Sequence, residues 1–140
     1  MTVAALPYTN FWQAKKGILS WLFTLDHKRI GILYLYSIGF FFLVAVGLGV
    51  LMRLELLNPG RDLIDPQTYN QVFTLHGVIM IFLFIIPSVP AVFGNFALPL
   101  LLGTDDVAFP KLNLLSWWLY VIGAFFALGT LVYGEGSADT

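Results

Sequence analysis

The chain has 140 residues, of which 59% are hydrophobic and 11% charged, with a net charge of −1. Soluble domains carry about 25% charged residues, so less than half of that at a mean hydropathy of +0.84 indicates a membrane protein. Seven Lys and Arg against eight Asp and Glu provide no basic excess for nucleic acid, and without cysteine there are no disulfides, thiolate nucleophiles or Cys-ligated metals.

In chain order, residues 1–28 read as an N-terminal interfacial segment. They lack the apolar run and small-residue cleavage site of a signal peptide. Phe11, Trp12, Ile18, Leu19, Trp21, Leu22 and Phe23 interleave with Lys15 and Lys16. That pattern suits an amphipathic helix lying at the inner interface. An ordered tail packed on a partner subunit suits the same residues equally well.

Three long runs follow. Ile30–Met52 and Leu112–Gly134 carry no formal charge, and between Asp65 and Asp105 His76 is the one acidic or basic group. A membrane-crossing helix needs roughly 20 apolar residues, whereas a barrel strand needs about 10. Helices also satisfy every backbone N–H within their own segment. The spacing therefore predicts transmembrane helices over about 29–55, 69–102 and 111–134, with an outer-side tail at 135–140. Asn58-Pro59-Gly60 and Asp65-Pro66 mark turns in the first loop. The second helix is long enough to require tilt, kinking or projection from the bilayer, and Pro87, Pro90 and Pro99 are its expected kinks. Lys15, Lys16, Lys28, Arg29 and Lys111 on one side, against Arg53 and Arg61 on the other, put the N-terminus inside. Ala45/Gly49 and Gly123/Ala127 are small residues four apart, which either let helices approach closely or reflect ordinary glycine content.

Few residues offer chemistry. His27 and His76 are the two histidines, too few for a metal site built wholly in this chain. His76 lies inside the second run, beside Gly77 and one turn before Met80. A neutral imidazole ligates haem iron or copper, and the glycine leaves room for a planar group. The other reading is a histidine hydrogen-bonded to a neighbouring helix. Arg53, near the end of the first run, is either a snorkelling anchor or a partner of Glu55 and Asp62, carboxylates that also suit a cation. Asp106, with Asn95 behind it and Asn113 ahead, either collects protons and orders water or is an ordinary turn residue. His27, within Asp26-His27-Lys28-Arg29, reads as a solvated interfacial residue.

Taken together, several segments resemble subunit I of the haem–copper terminal oxidases, such as cytochrome c oxidase. They are Trp21-Leu22-Phe23-Thr24-Leu25-Asp26-His27-Lys28-Arg29-Ile30-Gly31, Arg53-Leu54-Glu55-Leu56-Leu57-Asn58-Pro59-Gly60, Thr74-Leu75-His76-Gly77-Val78-Ile79-Met80, Phe93-Gly94-Asn95-Phe96, and Gly103-Thr104-Asp105-Asp106-Val107-Ala108-Phe109-Pro110-Lys111-Leu112-Asn113. They stand in order and at the family's spacing over about residues 20–134. The resemblance implies an all-α membrane protein, three transmembrane helices of a larger bundle of about twelve, each satisfying its own backbone.

The resemblance also implies roles. His76 matches an axial ligand of the low-spin haem iron, and Arg53 the arginine at that haem's periphery. Glu55 and Gly60 match part of an outer-face calcium or sodium site. Asp106 matches the mouth of a proton pathway, with Asn95 and Asn113 lining it, as in the A-type branch. The family has proline where this chain has Asp105, and often a second asparagine where Leu114 stands. The high-spin haem, the copper and the second low-spin haem ligand are expected outside this chain, which holds no catalytic residue of its own. It is expected to be a truncated or split piece of subunit I that needs the remainder of the subunit to be stable. The implied partners are that remainder, oxidase subunits II and III, membrane lipid, and cytochrome c or a quinol as donor. The implied location is a bacterial or archaeal cell membrane or the mitochondrial inner membrane. The rivals are a quinol oxidase of the same family and a non-catalytic membrane scaffold subunit.

Overall fold

A computed structural model describes residues 17–57, 59–60, 63–105 and 107–133, the last four of these by backbone alone. Four helices follow one another: α1 (Ile18–Leu22), α2 (His27–Glu55), α3 (Pro66–Leu102) and α4 (Pro110–Tyr133). There is no strand among the described residues. Three helices, α2, α3 and α4, are long and apolar enough to cross a membrane.

The first two long helices start where a side chain can take their orphan N–H groups. Asp26 caps α2 by accepting from the Lys28 amide at 2.9 Å. Asp65 caps α3, accepting from the Thr68 amide at 3.0 Å and the Thr68 hydroxyl at 2.6 Å, with Pro66 in the first turn. At the far end of α3, Gly103 turns left-handed (φ 66°), and the Thr104 amide reaches back to the Pro99 carbonyl at 3.0 Å. That is a Schellman-type stop.

The prolines of α3 do not break it. The backbone widens into π-helical turns over Ile79–Ile85 and Ser88–Phe93, on either side of Pro87 and spanning Pro90. The Ile86 amide bonds the Ile81 carbonyl, and the Gly94 amide bonds the Val89 carbonyl, both five residues back. Pro87 has no N–H to give the Leu83 carbonyl four residues earlier. Tyr120 of α4 supplies the missing donor, its hydroxyl lying 2.7 Å from that oxygen. The expected kinks are thus met by widened turns and by a neighbour that satisfies the freed carbonyl.

Packing is concentrated in two layers along α2. One joins Phe41 and Ala45 to Leu75, Ile79, Leu83 and Ala124. The other joins Ile30, Tyr34 and Ile38 to Trp117. Between α2 and α3, glycines permit close approach at two depths. A Cβ at Gly31 would lie 2.9 Å from the Phe96 ring, and one at Gly49 would lie 3.1 Å from His76. Of the two small-residue pairs, Ala45/Gly49 therefore marks a real contact. Gly123 faces open space, and the adjacent Ala124 is the buried one. The outward faces are strongly apolar, with Leu100 and Leu101 more than 80% exposed, as suits a surface turned to lipid or further helices rather than water.

The N-terminal interfacial reading is described only in part. Ile18–Leu22 is helical, and Ile18 and Leu19 are exposed. The segment is anchored at its end, where Trp118 donates to the Leu22 carbonyl at 3.2 Å. Arg29 donates to the Ser20 hydroxyl at 3.1 Å and stacks over the Trp21 ring. Phe11, Trp12, Lys15 and Lys16 lie outside the described residues. His27 is buried rather than solvated, 3.9 Å from the Asp26 carboxylate.

Candidate functional site

His76 sits on α3 about two and a half turns from its start, half-buried against α2. Its Nδ1 lies 2.8 Å from the Ala45 carbonyl. A carbonyl can only accept, so Nδ1 carries the proton and donates it. In the neutral ring Nε2 then keeps its lone pair. The position beside it, Gly77, faces open space, so nothing at that position blocks a flat group. The structure shows the imidazole hydrogen-bonded to a neighbouring helix, and the lone pair on the other nitrogen is compatible with the ligand reading. This is the way ligating histidines are generally oriented, so the residue fits a haem iron.

Arg53 follows Ala45 and Gly49 at steps of four, one turn beyond the His76 contact and on the same face of α2. It is exposed and makes no ion pair with Glu55, as residues two apart on a helix do not face each other. Glu55 is instead buried. Its Oε2 accepts from the Leu63 and Ile64 amides at 3.0 and 3.1 Å. The carboxylate braces the α2–α3 loop with one oxygen, and Oε1 is the atom that a cation would use. Gly60 is exposed in that loop, and Asp62 lies outside the described residues. No group of three His, Asp or Glu side chains is gathered among the described residues.

At the Leu102 end, Asn95 of α3 and Asn113 of α4 form a reciprocal amide pair, Asn113 donating at 2.5 Å and Asn95 at 3.3 Å. Asn95 also donates to the Ala91 carbonyl at 2.6 Å. One turn further along α4, the Ser116 hydroxyl donates to the Asn113 carbonyl at 2.7 Å, and the Tyr34 hydroxyl of α2 meets it at 2.7 Å. Nearby, Trp117 donates to the Ser37 hydroxyl at 3.2 Å. The structure thus brings Asn95 and Asn113 together. It adds Tyr34 and Ser116, which the sequence reading passed over although both are polar residues inside apolar spans. Asp106 lies outside the described residues, and its neighbour Asp105 is exposed.

A membrane-spanning helical segment that presents one oriented imidazole at one end and a polar string at the other defines the class. Residues 29–140 match the family described as cytochrome c and quinol oxidase polypeptide I, and the chain belongs to that family of integral membrane proteins. It is 47% identical over 126 residues to a putative cytochrome c oxidase subunit 1-beta of Streptomyces avermitilis, covering 90% of this chain and 22% of that protein. It is 41% identical over 138 residues to cytochrome c oxidase subunit 1 of Synechocystis sp., covering 99% of this chain and 25% of that protein. A probable cytochrome c oxidase subunit 1-beta of Nocardia farcinica is 42% identical, with 96% of this chain and 24% of that protein covered. The chain thus spans about a quarter or less of the length of these curated relatives.

Proposed function

We propose that the chain is the N-terminal part of a subunit I that passes electrons from cytochrome c to oxygen, forming water, with coupled proton pumping. Within it, His76 supplies one axial ligand of the low-spin haem. The observation that carries this reading is the Nδ1–H bond to the Ala45 carbonyl, which orients the ring and leaves Nε2 for iron. The bound haem supplies one-electron transfer. The chain's own residues would hold it, His76 through Nε2 and Arg53 through its guanidinium from the same α2 face. A fixed guanidinium there raises the affinity of the site for an electron.

Asp106 collects protons from the inner side, and Asn95 and Asn113 line the path above it. The hydroxyls of Ser116 and Tyr34, joined to that pair through the Asn113 carbonyl, extend the polar lining and support this. Amides do not ionise at neutral pH, so they order water rather than carry charge, while hydroxyls both donate and accept. Glu55 Oε1 and the Gly60 carbonyl contribute to a calcium or sodium site on the outer face. The high-spin haem, copper and second low-spin ligand come from the remainder of the subunit, which assembles with subunits II and III. The three helices form a layout of inner segment 1–28, membrane region 29–134 and outer tail 135–140, with the N-terminus inside.

The test uses the complete oxidase. His76→Ala should abolish the low-spin haem band in a reduced-minus-oxidised spectrum and spare the carbon-monoxide-sensitive high-spin band. An intact low-spin band would refute the ligand role. Assays with reduced cytochrome c and with a quinol identify the donor.

A further inference from the structure

The small-residue pair Ala45/Gly49 has a use beyond letting two helices approach. On the assignment of His76 as a haem ligand, we propose that Gly49 is a positioning residue that sets the rotation of the His76 imidazole, and with it the electronic state of the iron it would bind.

One face of α2 meets adjacent atoms of the ring at two positions. The Ala45 carbonyl holds Nδ1 at 2.8 Å. One turn further along, a Cβ at Gly49 would lie 3.1 Å from Cε1, 3.5 Å from Nδ1 and 3.9 Å from Nε2. Ordinary van der Waals contact between carbons begins at about 3.5 Å, so a methyl group there overlaps the Cε1 edge. The ring has two ways to yield. It can back away from α2, which stretches the hydrogen bond to Ala45, or it can turn about its Cβ–Cγ bond, which tilts the ring plane and bends that hydrogen bond. Both change how the ligand lone pair meets the iron, because the hydrogen bond sets ligand basicity and the ring plane sets orbital overlap.

The helix carries its own control. Gly47 lies on α2 two residues earlier, and a Cβ there meets nothing within 4 Å. Gly47→Ala and Gly49→Ala thus change the same helix by the same methyl group, with similar effects on propensity and chain entropy. They differ in whether that methyl touches the imidazole.

The experiment compares wild type, Gly47→Ala and Gly49→Ala in the complete, haem-loaded oxidase. It records visible spectra and low-temperature electron paramagnetic resonance of the ferric low-spin haem. Gly49→Ala should displace the low-spin α band and the g values, with Gly47→Ala superimposing on wild type. Selective loss of the low-spin haem in Gly49→Ala alone also supports the proposal, because the methyl has then evicted the ligand. A loaded Gly49→Ala with wild-type spectra overturns it, as do equal displacements in both variants. Failure of Gly49→Ala to assemble while Gly47→Ala assembles also overturns it, in favour of a purely packing role. His76→Ala, run alongside, separates the two claims: if it keeps the low-spin haem, the ligand assignment itself fails. If it loses that haem while Gly49→Ala is silent, only the positioning inference fails.

Discussion

At the Pro66 end of the bundle a single imidazole is tied to one main-chain carbonyl, whereas at the Leu102 end four polar side chains from three helices pair with each other and with main-chain carbonyls. His76 hangs on the Ala45 carbonyl, an atom fixed by the helix it belongs to. Asn95 and Asn113 pair through their side-chain amides and Tyr34 and Ser116 through their hydroxyls, and the two pairs join where Ser116 donates to the Asn113 main-chain carbonyl. The first arrangement suits a ligand whose orientation must not change between turnovers. The second suits a polar lining that orders water, because amides do not ionise and the carbonyl joining the two pairs only accepts. The same two layers of apolar packing support both ends, so the difference lies in how many polar groups meet and from how many helices.

The two ends should therefore fail differently. His76→Ala should cost the low-spin haem outright while leaving the polar string intact. Asp106→Asn should do the reverse: normal haem spectra, slower turnover and a reduced proton-to-electron ratio measured in vesicles. Spectra altered by Asp106→Asn, or a normal proton-to-electron ratio in that variant, would remove the functional distinction between the ends.

The next effect is on stability. Asn95→Leu leaves the Asn113 amide without its partner in an apolar surrounding. A cost of about 1–2 kcal/mol is expected, the scale of a buried hydrogen bond between helices. The double variant Asn95→Leu/Asn113→Leu removes both partners and should recover part of that loss. Thermal midpoints of the assembled complex would show it, and additive losses would mean that the two amides are not coupled. Tyr120→Phe should cost less, about 1 kcal/mol or below, by orphaning the Leu83 carbonyl that Pro87 cannot satisfy.

What was legible in the sequence follows a similar division. The charge-free runs identify the three long helices because lipid exposure is a property of composition, which a single segment displays by itself. His76 stands out for the same reason, as an ionisable group in an apolar run. Its partner does not, because every residue has a carbonyl and only the rotation of α2 against α3 selects that of Ala45. Tyr34 and Ser116 are 82 residues apart, and their pairing depends on α4 returning alongside α2. The prolines of α3 announced a disturbance but not its form. Whether a missing N–H becomes a kink or a widened turn depends on a donor such as Tyr120 being at hand. Asp26 stands in the sequence as one member of a charged run, and only the start of the helix beside it shows that it caps α2.

The smallest effect concerns the cap of α3, and it has a definite sign. Hydrogen bonds from the Thr68 hydroxyl and then the Thr68 amide hold the Asp65 carboxyl below the ordinary carboxylate range. A carboxyl whose folded value is depressed stabilises the fold above its unfolded value and loses that contribution as pH falls through the lower folded value. The carboxylate is solvent-exposed, so the consequence is local. The first turn of α3 should fray before the bundle does. Amide hydrogen exchange at Thr68 and Tyr69, corrected for intrinsic rates, should show protection falling as pH drops below the usual carboxylate range, while Val72 and Leu75, buried further along the helix, stay protected. Asp65→Asn should flatten that pH response, because an amide still accepts a hydrogen bond but does not titrate. Protection at Thr68 that follows the same pH curve in both proteins would show that the cap is held by the chain around it, Pro66 included, and not by the charge on Asp65.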